Sequence, residues 1–194
     1  MSTGWYLPDV AASVRAQDRC YDFNALRPSD PARREALAHI VAAIGAHTTV
    51  LSPFLCDYGP NVRLGSHVFV NHGAYFMDCA PITVGDRVFI GPSCGLYTAI
   101  HPLMANERNT NIERAEPITI EDDVWLGGNV TVCPGVTIHR GSVVGAGSVV
   151  TRDVPVGVVA AGNPCRVLRP LTDADHVSPS ELAGVAGWQP TPIQ

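Results

Sequence analysis

His101 is the residue whose type and setting could do chemistry. It lies in Tyr97-Thr98-Ala99-Ile100-His101-Pro102-Leu103, where a six-residue rhythm stops before resuming at Ile120. A free imidazole titrates near pH ~6.5, so it can take a proton from a weak nucleophile at neutral pH and return it. A lone His before Pro is by itself an ordinary surface residue, and this one lies in the stretch where the rhythm is interrupted. Asn71 is a second candidate, because it stands where the rhythm calls for Gly after Val70 and so puts an amide on the surface.

The elements that must hold these residues are set by that rhythm. Its apolar anchors are Tyr58, Leu64, Val70 and Phe76, then, after a two-residue slip, Val84, Ile90 and Leu96. After the interruption come Ile120, Leu126, Val132, Ile138, Val144, Val150 and Val156, with Gly directly after many anchors, as at Gly65, Gly91 and Gly127. A helix repeats every ~3.6 residues and a strand every ~2, so neither explains an anchor every six. Short strands separated by turns do, and three units make one triangular coil of about 18 residues, a mainly β solenoid of the hexapeptide type. Sandwich strands would recur at roughly 8–12 residues with variable loops. A repeat that pauses without losing phase has extruded a loop, here residues 100–117.

Two helices are expected before the solenoid. One covers about Pro8 to Asn24; the other begins at Ser29-Asp30-Pro31 and carries Ala36, Leu37, Ile40, Val41 and Ile44 at helical spacing up to Gly45. The chain thus divides into a helical region (1–50), the solenoid (51–169) and a C-terminal tail (170–194) without periodicity, expected to be flexible. With 194 residues, 46% hydrophobic and 16% charged, one core is affordable and two are not. A net charge of -5 does not suggest wholesale nucleic-acid binding and leaves room for a local basic patch, so an anionic ligand must be held by local arginines. The six cysteines form no C-x-x-C pair and are expected as free, mostly buried thiols. No basic segment followed by an apolar run opens the sequence, and no stretch is long and apolar enough to span a bilayer; a cytoplasmic protein is expected.

The segments Cys56-Asp57-Tyr58-Gly59, Asp78-Cys79-Ala80-Pro81, Tyr97 to Pro102, Val124-Trp125-Leu126-Gly127-Gly128, Pro134 to Ile138 and Val159 to Arg166 resemble the maltose and galactoside O-acetyltransferases and the nodulation acetyltransferases. The resemblance covers roughly residues 20 to 170. It implies a left-handed parallel β-helix, a homotrimer with sites between subunits, and transfer of an acetyl group from acetyl-CoA to a hydroxyl, with no metal required. His101 then matches the general base. Asn71 and Asp78 match positions near it that orient acceptor and imidazole, and Asp57 matches a sugar contact. Cys79 stands where the galactoside enzymes carry an acid, which argues against simple galactoside specificity.

For the donor, Gly128 matches the position whose backbone N–H meets the thioester oxygen, and Trp125 would lie along the pantetheine arm. Gly91 and Ala146 match small residues that let the donor approach. Thr151, Arg152, Arg166 and Arg169 match positions near its phosphates. Other readings are a hydroxyl of an antibiotic or amino acid as acceptor, a non-enzymatic scaffold, and a zinc carbonic anhydrase, for which His67 and His72 have suggestive spacing but no third ligand presents itself, His39 lying in the expected helix and His47 ahead of the repeats.

Overall fold

A computed structural model of the protein describes residues 4–187; residues 1–3, and the tail residues 188–194 with Pro190 and Pro192, lie outside the described part. The chain winds about six turns of a left-handed parallel β-helix, a triangular prism with three sheet faces. The first face stacks Ala43–Ile44, Val62–Leu64, Ile82–Val84, Ile118–Ile120 and Thr137–Ile138. The second stacks Thr49–Val50, Phe69–Val70, Phe89–Ile90, Trp125–Leu126, Val143–Val144 and Val158–Gly162, and ends on the antiparallel strand Cys165–Pro170. Phe54–Cys56, Ala74–Met77, Gly95–Tyr97, Thr131–Val132 and Val149–Val150 make the third.

Each anchor stacks on its counterpart one coil away: Val70 on Ile90, Ile90 on Leu126, Leu126 on Val144. All of these side chains point into the prism and are buried. Fully burying one such side chain stabilises by roughly 1.5–3 kcal/mol, so the axis of the prism is the core. The chain turns between the first and second faces through left-handed residues, His47, His67, Arg87 and Asp123 at φ 56°, 57°, 56° and 61°. In the last coils Gly141 and Gly157 take over that position, at φ 68° and 65°.

The register differs from the expected one at its ends. Cys56, not Tyr58, is the inward residue of the first coil, and Tyr58 lies two residues beyond it in a corner. In the last coil Val154 bridges Ile138, while Val156 is 56% exposed. That coil is two residues shorter, because Asp153 closes it by accepting Thr137 N–H at 2.7 Å.

Helix α1 (Val10–Ala25) starts at Asp9, whose Oδ1 accepts Ala12 N–H at 3.0 Å, and buries Ala16, Cys20 and Phe23 along one stripe. The Cys20 and Cys56 sulfurs meet at 3.6 Å between helix and solenoid. Asn24 Nδ2 donates to Phe54 O and its Oδ1 accepts Phe54 N–H, both at 2.9 Å. Helix α2 (Arg33–Ala38) is only six residues long, because Ala43–Ile44 leave the helical pattern to pair with Arg63–Leu64. The solenoid therefore begins at residue 43, ahead of the expected residue 51. All six cysteines are free thiols, Cys79 and Cys133 being partly exposed. The described part of the tail is not featureless: Arg169 and Asp175 form a two-bonded ion pair at 2.7 and 2.6 Å. No described helix is long and apolar enough to cross a membrane.

Leu126, fully buried at mid-prism, tests the stacking. Leu126→Ala should lower the unfolding free energy by about 2–5 kcal/mol in a denaturant titration.

Candidate active site

All irregularity in coil length leaves the prism at one corner, between the third and first faces. Cys56 to Leu64 and Phe76 to Val84 take eight residues where Val132 to Ile138 takes six, and Leu96 to Ile120 carries the whole loop. The loop is a hairpin: Ala99–Ile100 pairs antiparallel with Arg114–Ala115, and helix α3 (Ala105–Arg108) lies between them. Arg108 stiffens it by donating to the Pro102 and Leu103 carbonyls, both at 3.1 Å.

His101 is the first residue past the hairpin strand and is exposed. Its Nδ1 lies 3.3 Å from Ile112 O. A carbonyl can only accept, so in the neutral ring Nδ1 is the N–H and Nε2 the lone-pair nitrogen. The ring faces a groove of about 550 Å³ lined by Leu7, Pro8, Val10, His101, Arg108 and Asn111. The N-terminal segment thus forms one wall, held by the reciprocal backbone hydrogen bonds of Tyr6 and Glu113 at 2.8 and 2.9 Å.

Asp78 does not face this groove. It is fully buried, and its carboxylate accepts N–H bonds from Asp57, Tyr58, Gly59 and Asn61 at 2.7–3.3 Å. Burial pushes its pKa up, against the pull of those donors. Asp78 thus closes the corner and exposes nothing for an acceptor to touch, which corrects the expectation of a substrate or imidazole contact. Its neighbours do reach outward: Asp57 accepts from the Tyr75 hydroxyl and, at 3.6 Å, from the Cys79 thiol. Burial, then the charges of Glu113 and Asp57, push the Cys79 thiol up, so it stays protonated and is no nucleophile. Tyr58 is pushed up to about 12 by burial, then by Cys79 and Glu113. Tyr6, Tyr75 and Glu113 join this corner although no spacing in the sequence links them to it.

Asn71 lies on a different corner, between the second and third faces. Its Oδ1 accepts His72 N–H at 2.8 Å, leaving Nδ2 to donate outward. Gly91 occupies the same column, but a Cβ there would lie 2.6 Å from Gly127 C and Gly128 N, so its smallness serves coil stacking before any ligand. Gly128 is half-buried one coil on. Gly127 N–H donates to Val144 O at 2.8 Å, whereas among the described residues the Gly128 N–H joins no such ladder. Ala146 is exposed at this corner, and Trp125 stands 55% exposed on the adjoining face beside Phe89.

At the last coils Arg152 and Arg166 line one recess of about 180 Å³ with Cys165, Val167 and Asp153, whose Oδ1 is taken by Thr137 N–H. Neither has a carboxylate partner among the described residues. Exposed Thr151 precedes them. Arg169 is bound to Asp175 and holds that carboxyl well below the usual range, so it is less free for an anion than its sequence position implied. Among the described residues no three His, Cys, Asp or Glu side chains converge as a metal site. His47 and His67 stack with centroids 4.8 Å apart, while His72 lies on another corner against Ser52 O.

Residues 117–152 match the bacterial transferase hexapeptide family model, described as six repeats. A hexapeptide-repeat acetyltransferase of Vibrio cholerae, crystallised with acetyl coenzyme A, is 41% identical, with 84% of this chain and 88% of that one covered and a TM-score of 0.80. Galactoside acetyltransferase in complex with coenzyme A is 35% identical, with 89% of each chain covered and a TM-score of 0.84. A maltose O-acetyltransferase of Clostridium difficile is 36% identical, covering 88% of this chain and 94% of that one with a TM-score of 0.85.

Asp78 offers a direct test of the corner. Asp78→Ala strands four backbone donors and should cost roughly 2–4 kcal/mol of stability. Hydrogen exchange should show the lost protection at the Tyr58, Gly59 and Asn61 amides.

Proposed function

The chain belongs to the hexapeptide-repeat acetyltransferases, and on that footing we propose that it transfers the acetyl group of acetyl-CoA to a hydroxyl of a sugar or related small molecule. The observation that carries the choice of base is His101 at the groove, its Nδ1 on Ile112 O and its Nε2 free. His101 takes the hydroxyl proton as the oxygen attacks the thioester carbonyl. The Gly128 N–H, unused in the coil ladder, donates to the carbonyl oxygen as it becomes anionic. When the C–S bond breaks, the imidazolium returns the proton to the departing thiolate. The ester leaves with the acceptor and the thiol with coenzyme A.

Asn71 and His101 project from different corners of one prism, which supports a site shared by two subunits of a homotrimer. The hairpin of one chain would meet the second-to-third corner of its neighbour, bringing His101 to Asn71 Nδ2 and Gly128. Trp125 and Phe89 would then be covered by the pantetheine arm or by the neighbour. Arg152 and Arg166 would take the phosphates, since guanidinium donors without carboxylate partners suit them. Asp57 at the hairpin corner would accept from acceptor hydroxyls. The solenoid, from residue 43 to residue 169, would make up the transferase unit, in a cytoplasmic enzyme fed by intracellular acetyl-CoA.

His101→Ala should lower the transfer rate by a factor of about 10²–10⁴ while calorimetry still detects acetyl-CoA binding. Unchanged turnover would remove His101 from the mechanism. Mixing unfolded His101→Ala and Asn71→Ala chains and refolding them together should recover activity that neither variant has alone, because some sites then receive both intact residues; no recovery would sink the shared site. Arg166→Ala should raise the KM for acetyl-CoA roughly tenfold, with a smaller change in kcat.

A further inference from the structure

Helix α1 carries two apolar stripes, and the solenoid covers one of them. Ala16, Cys20 and Phe23 are buried. On another side Val10 and Val14, one turn apart, are 68% and 51% exposed. Leu7, two residues ahead of the N-cap Asp9, is 67% exposed. Leu7, Pro8 and Val10 together line the groove that His101 faces, whereas its polar residues, His101, Arg108 and Asn111, all come from the hairpin. One side of the groove is thus apolar and the other polar.

The apolar side is held in place at both ends. Before it, Tyr6 exchanges two backbone hydrogen bonds with Glu113; behind it, Asp9 caps α1 by accepting Ala12 N–H at 3.0 Å. None of its three side chains has a hydrogen-bonding group, and Pro8 has no backbone N–H. A hydroxyl turned toward this wall gives up water and gains no partner, whereas an alkyl or aryl group placed there removes apolar surface from water on both sides of the contact. About 550 Å³ falls within the roughly 300–1,000 Å³ of pockets that take drug-sized ligands, so the groove has room for such a group beside a reacting hydroxyl.

We infer that the acceptor is an alcohol that carries an apolar group, alkyl or aryl, which packs on Leu7, Pro8 and Val10 while its hydroxyl meets His101 on the hairpin side. This rests on the acetyl-transfer reading above and narrows its substrate class. Leu7 and Val10 are then specificity-determining residues. They touch a part of the acceptor that does not react, so they hold the ground state and the transition state equally and act on KM rather than kcat.

The test uses the full chain with acetyl-CoA and acceptor pairs that differ only in an apolar group, methyl against phenyl β-glucoside and 1,2-propanediol against 3-phenyl-1,2-propanediol. Thiol release should give kcat/KM roughly tenfold higher for the phenyl member, with the gain in KM. In the double variant Leu7→Ser, Val10→Ser the ratio within each pair should fall to within about threefold of one. Both side chains are about two-thirds exposed, so the double variant keeps its fold. Tyr21→Ser, on the same helix and outside the groove, should leave the ratio as it is. Equal use within the pairs, an unchanged ratio in the double variant, or an equal fall in Tyr21→Ser would each overturn the assignment. So would loss of an oligomer in the double variant by light scattering, which would give this wall to a second copy of the chain. Calorimetric binding of each pair in the presence of coenzyme A reads the preference without turnover. Absence of transfer to every acceptor therefore counts against acetyl transfer, whereas equal binding within pairs, or none, counts against the apolar wall.

Discussion

Coil-on-coil register is the constraint from which the rest of the molecule follows. Each coil gives its backbone N–H groups to the carbonyls of the next, so one residue added within a face would misalign every rung after it. Extra chain can leave only where no strand must pair, at a corner. Against the 18 residues that separate Ile120 from Ile138, the coil from Leu64 to Val84 has two extra and that from Val84 to Ile120 has eighteen. They leave at the same edge of the prism, so the Asp57 and Asp78 corners and the His101 hairpin come to lie one above another. The candidate site lies there because that edge alone is open to variation in length.

The central coils are legible in the sequence because an anchor there has a partner above and below. From Leu64 to Val150 the inward column follows the six-residue rhythm, and all of it is buried. At either end one neighbour is missing and other contacts decide. Tyr58 is displaced because the first coil has its own two extra residues, and Val156 because Asp153 shortens the last. The second helix is cut short by a strand pairing that helical periodicity cannot register. His101 was visible because it interrupts a pattern. The burial of Asp78 was not, since it depends on four amides between residues 57 and 61 closing over one carboxylate. The juxtaposition of Tyr6 and Glu113, far apart in the chain and both outside the repeat, has no sequence signal at all.

The hydrogen bonds between Asn24 and Phe54 bear on what this protein is as a particle. Phe54–Cys56 is the outermost strand of its face, and a parallel strand with free N–H and C=O groups would accept another coil as readily as it pairs with Ala74–Met77. The Asn24 side chain mimics a peptide group and occupies both the donor and the acceptor of Phe54. A solenoid whose every coil can template the next has no intrinsic length, and this end is closed on all three faces by side chains, Asn24 on Phe54, Arg33 on Val50 O and Arg34 on Gly45 O.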